Sequence, residues 1–225
     1  MKLSTITKKL AEYIAFPLAF FIFGILFFYL VFNPFLNLML DGWALFSSDS
    51  NITSGEEIHN DIFGVDRLEG YTDFVPSSLI TYPKVQTRYA EISILADNCE
   101  YTIPLYFGDN KSILRRGAGH YVGSHFPGES STVLVSGHNN TYFNCLQYIK
   151  VGDIITLTTN YGVYKYEVTE TAVKKNSDKS AYDLSADFEN LILYTCYPFD
   201  RIGLTPDRYF VYTKLLSGPK ILKGE

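Results

Sequence analysis

The sequence predicts an all-β domain, a barrel or a sandwich with short helices, carried behind one N-terminal transmembrane helix. Three observations carry that prediction. A long charge-free apolar run lies near the N-terminus, seven short runs rich in Val, Ile, Thr and Tyr follow residue 89, and few long helical patterns separate them. The 225 residues allow one domain of ordinary size plus a tail. With 47% hydrophobic and 19% charged residues, 18 Tyr and 17 Phe, the chain is excluded from the disordered class.

Taken in chain order, residues 1–12 precede the apolar run and residues 13–40 contain it. Tyr13 to Phe32 is free of charge, and no charge appears until Asp41. About twenty helical residues match the thickness of the bilayer hydrocarbon core, and Pro17 and Gly24 are tolerable within such a helix. A secretory signal has a shorter apolar region followed by a small-residue cleavage site, which this run lacks, so a retained anchor is expected. Lys2, Lys8 and Lys9 against Glu12 leave +2 on residues 1–40, and hence −7 on the remainder of a chain whose net charge is −5. The positive-inside rule then puts the N-terminus in the cytoplasm and the large C-terminal part outside, with Trp43 at the outer interface. No basic excess marks a nucleic-acid partner. Residues 41–84 include SSDSNITSGEE and read as a polar linker with one short helix near Glu56–Phe63. Deleting residues 1–84 is expected to leave a folded, active domain.

Residues 85–225 form the expected domain. Its strands fall at Ala90–Leu95, Thr102–Phe107, Thr132–Ser136, Ile154–Thr158, Val163–Val173, Leu191–Thr195 and Arg208–Leu216, separated by turn clusters such as ADN, GDN, PGE and NYG. Alternation assigns faces: Ile155 and Leu157 point one way, Thr156 and Thr158 the other. Short helices are expected near Thr141–Ile149 and Tyr182–Glu189.

Three strand ends carry reactive residues. Cys196 closes ILYTC, His138 follows VLVSG, and Arg208 opens RYFVYTKLL. A lone strand cysteine is most often a small core residue. Delivered to one barrel rim with an imidazole and a guanidinium, it has another use. A thiolate attacks a carbonyl, His moves the proton, and Arg, always charged and with a fixed fork of donors, holds the oxyanion. The other candidates are weaker. His120 and His125 stand five apart in GAGHYVGSH, poor spacing for one helical face, and neither CxxC nor HExxH occurs, so no metal or other cofactor is expected. His120 reads as a structural hydrogen-bonding residue, and Cys99 as a turn residue. Three cysteines are too few for a disulfide framework.

These motifs in this order resemble the sortases, membrane-anchored cysteine transpeptidases of Gram-positive bacteria, and class D most of all. Ser136-Gly137-His138-Asn139-Asn140-Thr141 matches the family's His motif. Leu193-Tyr194-Thr195-Cys196 matches its strand-terminal Thr-x-Thr-Cys-like motif, with Tyr as the central residue. Arg208 stands twelve residues beyond the Cys, where the family places its arginine. Gly117-Ala118-Gly119-His120-Tyr121, Pro127-Gly128-Glu129 and Cys196-Tyr197-Pro198-Phe199 are class D-like. The resemblance runs from Ala90 to Leu216. Asn139 and Asn140 depart from the Arg-Asp pair more usual in the class, Arg201 from an aromatic, and Cys145 lies outside the pattern.

The resemblance implies a closed β-barrel of about eight strands and a catalytic set of Cys196, His138 and Arg208. It implies an LPxTG-like sorting signal of a surface protein as substrate and a thioester at Cys196. The acyl acceptor would be an amine of a peptidoglycan precursor. Thr195 is either a contributor through its neighbouring backbone to the oxyanion site or a plain strand residue. Two rival readings stand beside it: a peptidase that uses the same three residues and only hydrolyses, and a non-catalytic extracellular peptide-binding module, against which the intact Cys196, His138 and Arg208 count.

Overall fold

The computed structural model describes residues 13, 15–29, 32, 73–96, 99–201 and 205–222. The chain divides into two units, Met1–Asn51 and Ile52–Glu225. In the first, residues 15–29 are helical, and Phe16, Phe20, Phe23 and Phe27 expose their rings. Among the described residues no helix is long and apolar enough to cross a membrane. The rest of the predicted span 13–40, the three N-terminal lysines, Trp43 and the helix expected near residues 56–63 lie outside the described residues.

Among the described residues the second unit contains ten strands: β1 (Phe74–Pro76), β2 (Arg88–Ala96), β3 (Cys99–Phe107), β4 (Ala118–His120), β5 (Thr132–Ser136), β6 (Ile154–Thr159), β7 (Val163–Lys175), β8 (Asn190–Tyr197), β9 (Asp207–Ser217) and β10 (Lys220–Leu222). Eight of them close a barrel in the order β2-β3-β4-β5-β8-β9-β7-β6, which removes the exposed edges an open sheet would leave. This decides between barrel and sandwich. All neighbours are antiparallel except β3/β4 and β5/β8. The alternation expected of Ile154–Thr158 holds, with Ile155 and Leu157 fully buried and Thr156 and Thr158 half-buried on the opposite face. Ile92, Ile94, Leu105, Val133, Val135, Leu191, Leu193 and Val211 fill the interior with Tyr164 and Tyr166.

Four local readings are corrected. Part of the stretch taken as linker belongs to the domain. In residues 73–84, β1 pairs in parallel with β10, Val75 is fully buried, and the Tyr82 hydroxyl donates to Glu129 at 2.9 Å. Polar composition hid this, because one buried side chain per short strand leaves no periodic signal. No helix forms over Tyr182–Glu189. Its carbonyls are claimed from outside: the Ser131 hydroxyl donates to the carbonyl of Ala186 at 2.8 Å and the Thr132 hydroxyl to that of Asp183. The segment is thus held as a turn-containing strap. A short helix missed by the sequence reading, Lys111–Leu114, is capped by Asn110, whose side chain accepts from the amides of Ser112 and Ile113. The three-residue strand β4 was also missed. The helical turn expected within Thr141–Ile149 appears as a 3-10 helix, Asn144–Tyr148.

Candidate active site

The rim where β5, β8 and β9 end gathers the three residues singled out in the sequence. In the parallel pair β5/β8, Ser136 stands opposite Tyr194. One residue further, the Gly137 amide donates to the Tyr194 carbonyl at 3.2 Å, and the Thr195 hydroxyl donates to the Gly137 carbonyl at 2.7 Å. These two bonds tie the residue before His138 to the residue before Cys196. In the antiparallel pair β8/β9, Cys196 stands opposite Arg208. Directly opposed residues of such a ladder have Cα atoms about 5 Å apart and side chains on the same face. All three residues are half-buried, neither sealed in the core nor fully in solvent.

Alternation along β8 separates two roles. Leu191, Leu193 and Thr195 point into the barrel and are buried, whereas Ile192, Tyr194 and Cys196 share the outer face. Thr195 therefore turns its hydroxyl inward to tie the two strand ends together. Opposite that outer row, Arg208, Phe210 and Tyr212 continue the same face, with stacked rings at Tyr194–Phe210 (5.5 Å) and Phe210–Tyr212 (5.8 Å). The strap 176–189 lays Ala181 and Leu184 over this face beside Leu134 and Ile192. Below the strap opens a groove of about 650 Å³, lined by Thr132, Asp183, Phe188, Asn190, Ile192 and Tyr212 among others. Ile192 lies four residues along β8 from Cys196, about 13 Å in a strand.

The guanidinium is held at its base. Arg208 Nη1 donates to the carbonyls of Thr205 (2.6 Å) and Asp207 (2.9 Å), a backbone cradle that fixes the direction of the fork. Beside the imidazole, Gly137 has a physical reason to be glycine: a Cβ there would lie 2.5 Å from Cγ of the fully buried Phe143 ring. The Phe143 amide in turn donates to the His138 carbonyl at 3.1 Å. Sequence reading treated Asn139 as a departure from a pattern. The structure gives it partners, Nδ2 donating to the carbonyls of Pro198 and Arg201. Arg201 itself is exposed.

The remaining His and Cys candidates separate from this rim by burial. His120 is fully buried among Tyr89, Phe107 and Phe126, and its Nδ1 shares a 2.6 Å hydrogen bond with the Tyr89 hydroxyl. Burial lowers its pKa to about 4, although the backbone at His125 and Ser124 favours the protonated ring. Nε2 has no partner in hydrogen-bonding geometry. Cys145 is a free, buried thiol pushed up to about 12 by desolvation, so it stays protonated at neutral pH and is a poor nucleophile. Among the described residues no cluster of His, Cys, Asp or Glu is arranged to hold a metal ion.

The Sortase domain family profile matches residues 94–216, more than half of the chain. Sortase D of Bacillus subtilis (strain 168) is 37% identical over 115 residues, which cover 51% of this chain and 58% of that protein. The match thus spans under two thirds of the relative's length. Among solved structures, a Clostridium perfringens Sortase D5 transpeptidase superposes with a TM-score of 0.53 at 21% identity, covering 80% of this chain and 99% of the other. Sortase E from Streptomyces avermitilis gives 0.52 at 23% identity, covering 60% and 92%. At these identities the two structures speak for the fold.

Proposed function

Since the chain belongs to the sortase family, we propose that it is a membrane-anchored cysteine transpeptidase that cleaves an LPxTG-like sorting signal and joins the upstream part to a cell-wall amine. The observation that carries this reading is the register at the rim: Cys196 stands opposite Arg208 on β9, and Thr195 beside it bonds Gly137, the residue before His138. The Cys196 thiolate would attack the carbonyl of the signal's Thr. The resulting oxyanion would meet Arg208, whose Nη1 is already committed to Thr205 and Asp207, so that Nη2 and Nε would be the donors left for it. His138 would protonate the leaving amine as the C–N bond breaks, leaving a thioester on Cys196. It would then take the proton from the incoming amine as the new amide forms and the C–S bond breaks, releasing Cys196 as the thiolate.

The outer face of β8 supports a peptide track. Four extended residues span about 13 Å, the distance from Cys196 to Ile192, so the N-terminal side of the signal would reach the groove under the strap. Anchoring rests on the charge-free run and the lysines before it. Helical residues 15–29 expose rings on all sides, which suits a lipid environment better than water. The catalytic domain would then lie outside the cell with the N-terminus in the cytoplasm.

The test is product analysis by mass spectrometry of the full chain in detergent, with an LPxTG-like peptide and a panel of Gly- or diaminopimelate-containing wall peptides. A thioester adduct at Cys196 and diversion of product from acid to amide are expected. Brisk hydrolysis with no amide formed would give the peptidase reading instead, and absence of both cleavage and adduct would leave a binding module.

A further inference from the structure

We propose that Asn139 is a positioning residue that sets the spacing of His138 and Cys196 by bonding the chain that follows one to the chain that follows the other. The inference rests on the reading of His138 and Cys196 as a reacting pair. Asn139 is buried, and its Nδ2 donates to the carbonyl of Pro198 at 2.9 Å and to that of Arg201 at 3.1 Å. These carbonyls belong to the segment leaving β8, two and five residues past Cys196. The backbone carbonyl of Asn139 is fixed in its turn by Asn144 Nδ2 at 2.9 Å. The imidazole and the thiol therefore lie between two ties. On the strand side the Thr195 hydroxyl bonds the Gly137 carbonyl, and on the loop side Asn139 bonds Pro198 and Arg201.

The residue type follows from the task. Two carbonyl oxygens need two donors on one short side chain, and a primary amide supplies both without charge. An aspartate has the same shape but no donor, and its carboxylate would face both carbonyls. A proton relay tolerates little displacement: a misplacement of about 1 Å can cost about a hundredfold in rate. The side-chain hydrogen bonds of Asn139 go to backbone carbonyls, so it acts through its two neighbours.

Asn139→Asp and Asn139→Ala in the full chain test this by two readouts. The first is the pH profile of Cys196 alkylation by iodoacetamide, followed by mass spectrometry of the Cys196 peptide, which needs no substrate. The second is kcat and KM for peptide cleavage, normalised to the folded fraction by circular dichroism. We expect the alkylation midpoint to move by about half a pH unit or more in both variants. Turnover should fall by about tenfold or more at nearly unchanged KM, the scale on which a displaced acid–base group acts. A purely structural residue would lower the folded fraction and leave the profile per folded molecule in place. Profiles of either folded variant that overlay the wild type, with kcat within about twofold, would overturn the proposal. If Asn139→Asp does not fold, Asn139→Ala, which removes the donors without adding charge, decides alone. Separated profiles in a protein that turns over no peptide would sink the proposed function and spare this inference. Normal wild-type turnover with overlaid profiles would do the reverse.

Discussion

At the scale of single residues, three expectations follow from the rim. His138→Ala and Arg208→Ala should each lower turnover by about a hundredfold or more, the range for acid–base groups and oxyanion donors. Arg208→Lys should not rescue, because a point ammonium cannot reach both the carbonyls of Thr205 and Asp207 and a substrate oxygen. Steady-state kinetics on the three variants checks this, and near-normal rates for Arg208→Lys would reduce the guanidinium to a general positive charge. Gly137→Ala should impair both stability and rate, since its Cβ meets the buried Phe143 ring 2.5 Å away and the ring cannot swing clear. A cost of about 1–3 kcal/mol in denaturant unfolding is expected of such overpacking. The types and order of Cys196, His138 and Arg208 were legible in the sequence because each closes or opens a β-type run. The work of Asn139 and Thr195 was not. A buried amide and an inward hydroxyl look like any polar loop or strand residue until their carbonyl partners, about 60 positions away, are placed beside them.

At the scale of elements, the seven strands read from the sequence all exist, and those with the clearest alternation were found almost to the residue. Those missed, β1, β4 and β10, have three residues each, too few for a period to register. The helix expected near Tyr182–Glu189 does not form because the carbonyls of Asp183 and Ala186 are bound by Thr132 and Ser131. The boundary set at residue 85 cuts away β1, which buries Val75, and the following stretch, which buries Ile80. A chain beginning at residue 85 should therefore be less stable than one beginning at residue 73 by about 3 kcal/mol, the transfer of two buried aliphatic side chains. Loss of the Tyr82–Glu129 hydrogen bond adds to it. Equal urea midpoints for the two chains would return residues 73–84 to the linker.

At the scale of the whole molecule, the barrel is closed around an aromatic and histidine cluster whose titration couples the fold to pH. His120 has its pKa lowered to about 4 by burial, against an ordinary value of 6.5. The unfolded chain thus takes up a proton at this residue as pH falls through 6.5, whereas the folded barrel resists until about 4. Above pH 6.5 the imidazole is neutral in both states and contributes no slope. Between 6.5 and 4 the unfolded state binds more protons, so stability falls with falling pH by about 3 kcal/mol in all. Glu189 opposes this trend. Its carboxyl is raised by burial, even though it accepts from the amides of Gly128 and Ser130 and from the Tyr166 hydroxyl, so the fold gains on its protonation. The contribution of His120 is isolated by difference. In His120→Asn the lost packing lowers stability at every pH, while the slope belonging to the imidazole disappears and that of Glu189 stays. Urea unfolding of wild type and variant from pH 7.5 to 4 should therefore show a gap that is constant above about 6.5 and narrows below it. Parallel curves down to pH 4 would mean that His120 titrates alike in the folded and unfolded chain. The aromatic cage would then be open to water, and the barrel would not be sealed where Tyr89, Phe107 and Phe126 surround the ring.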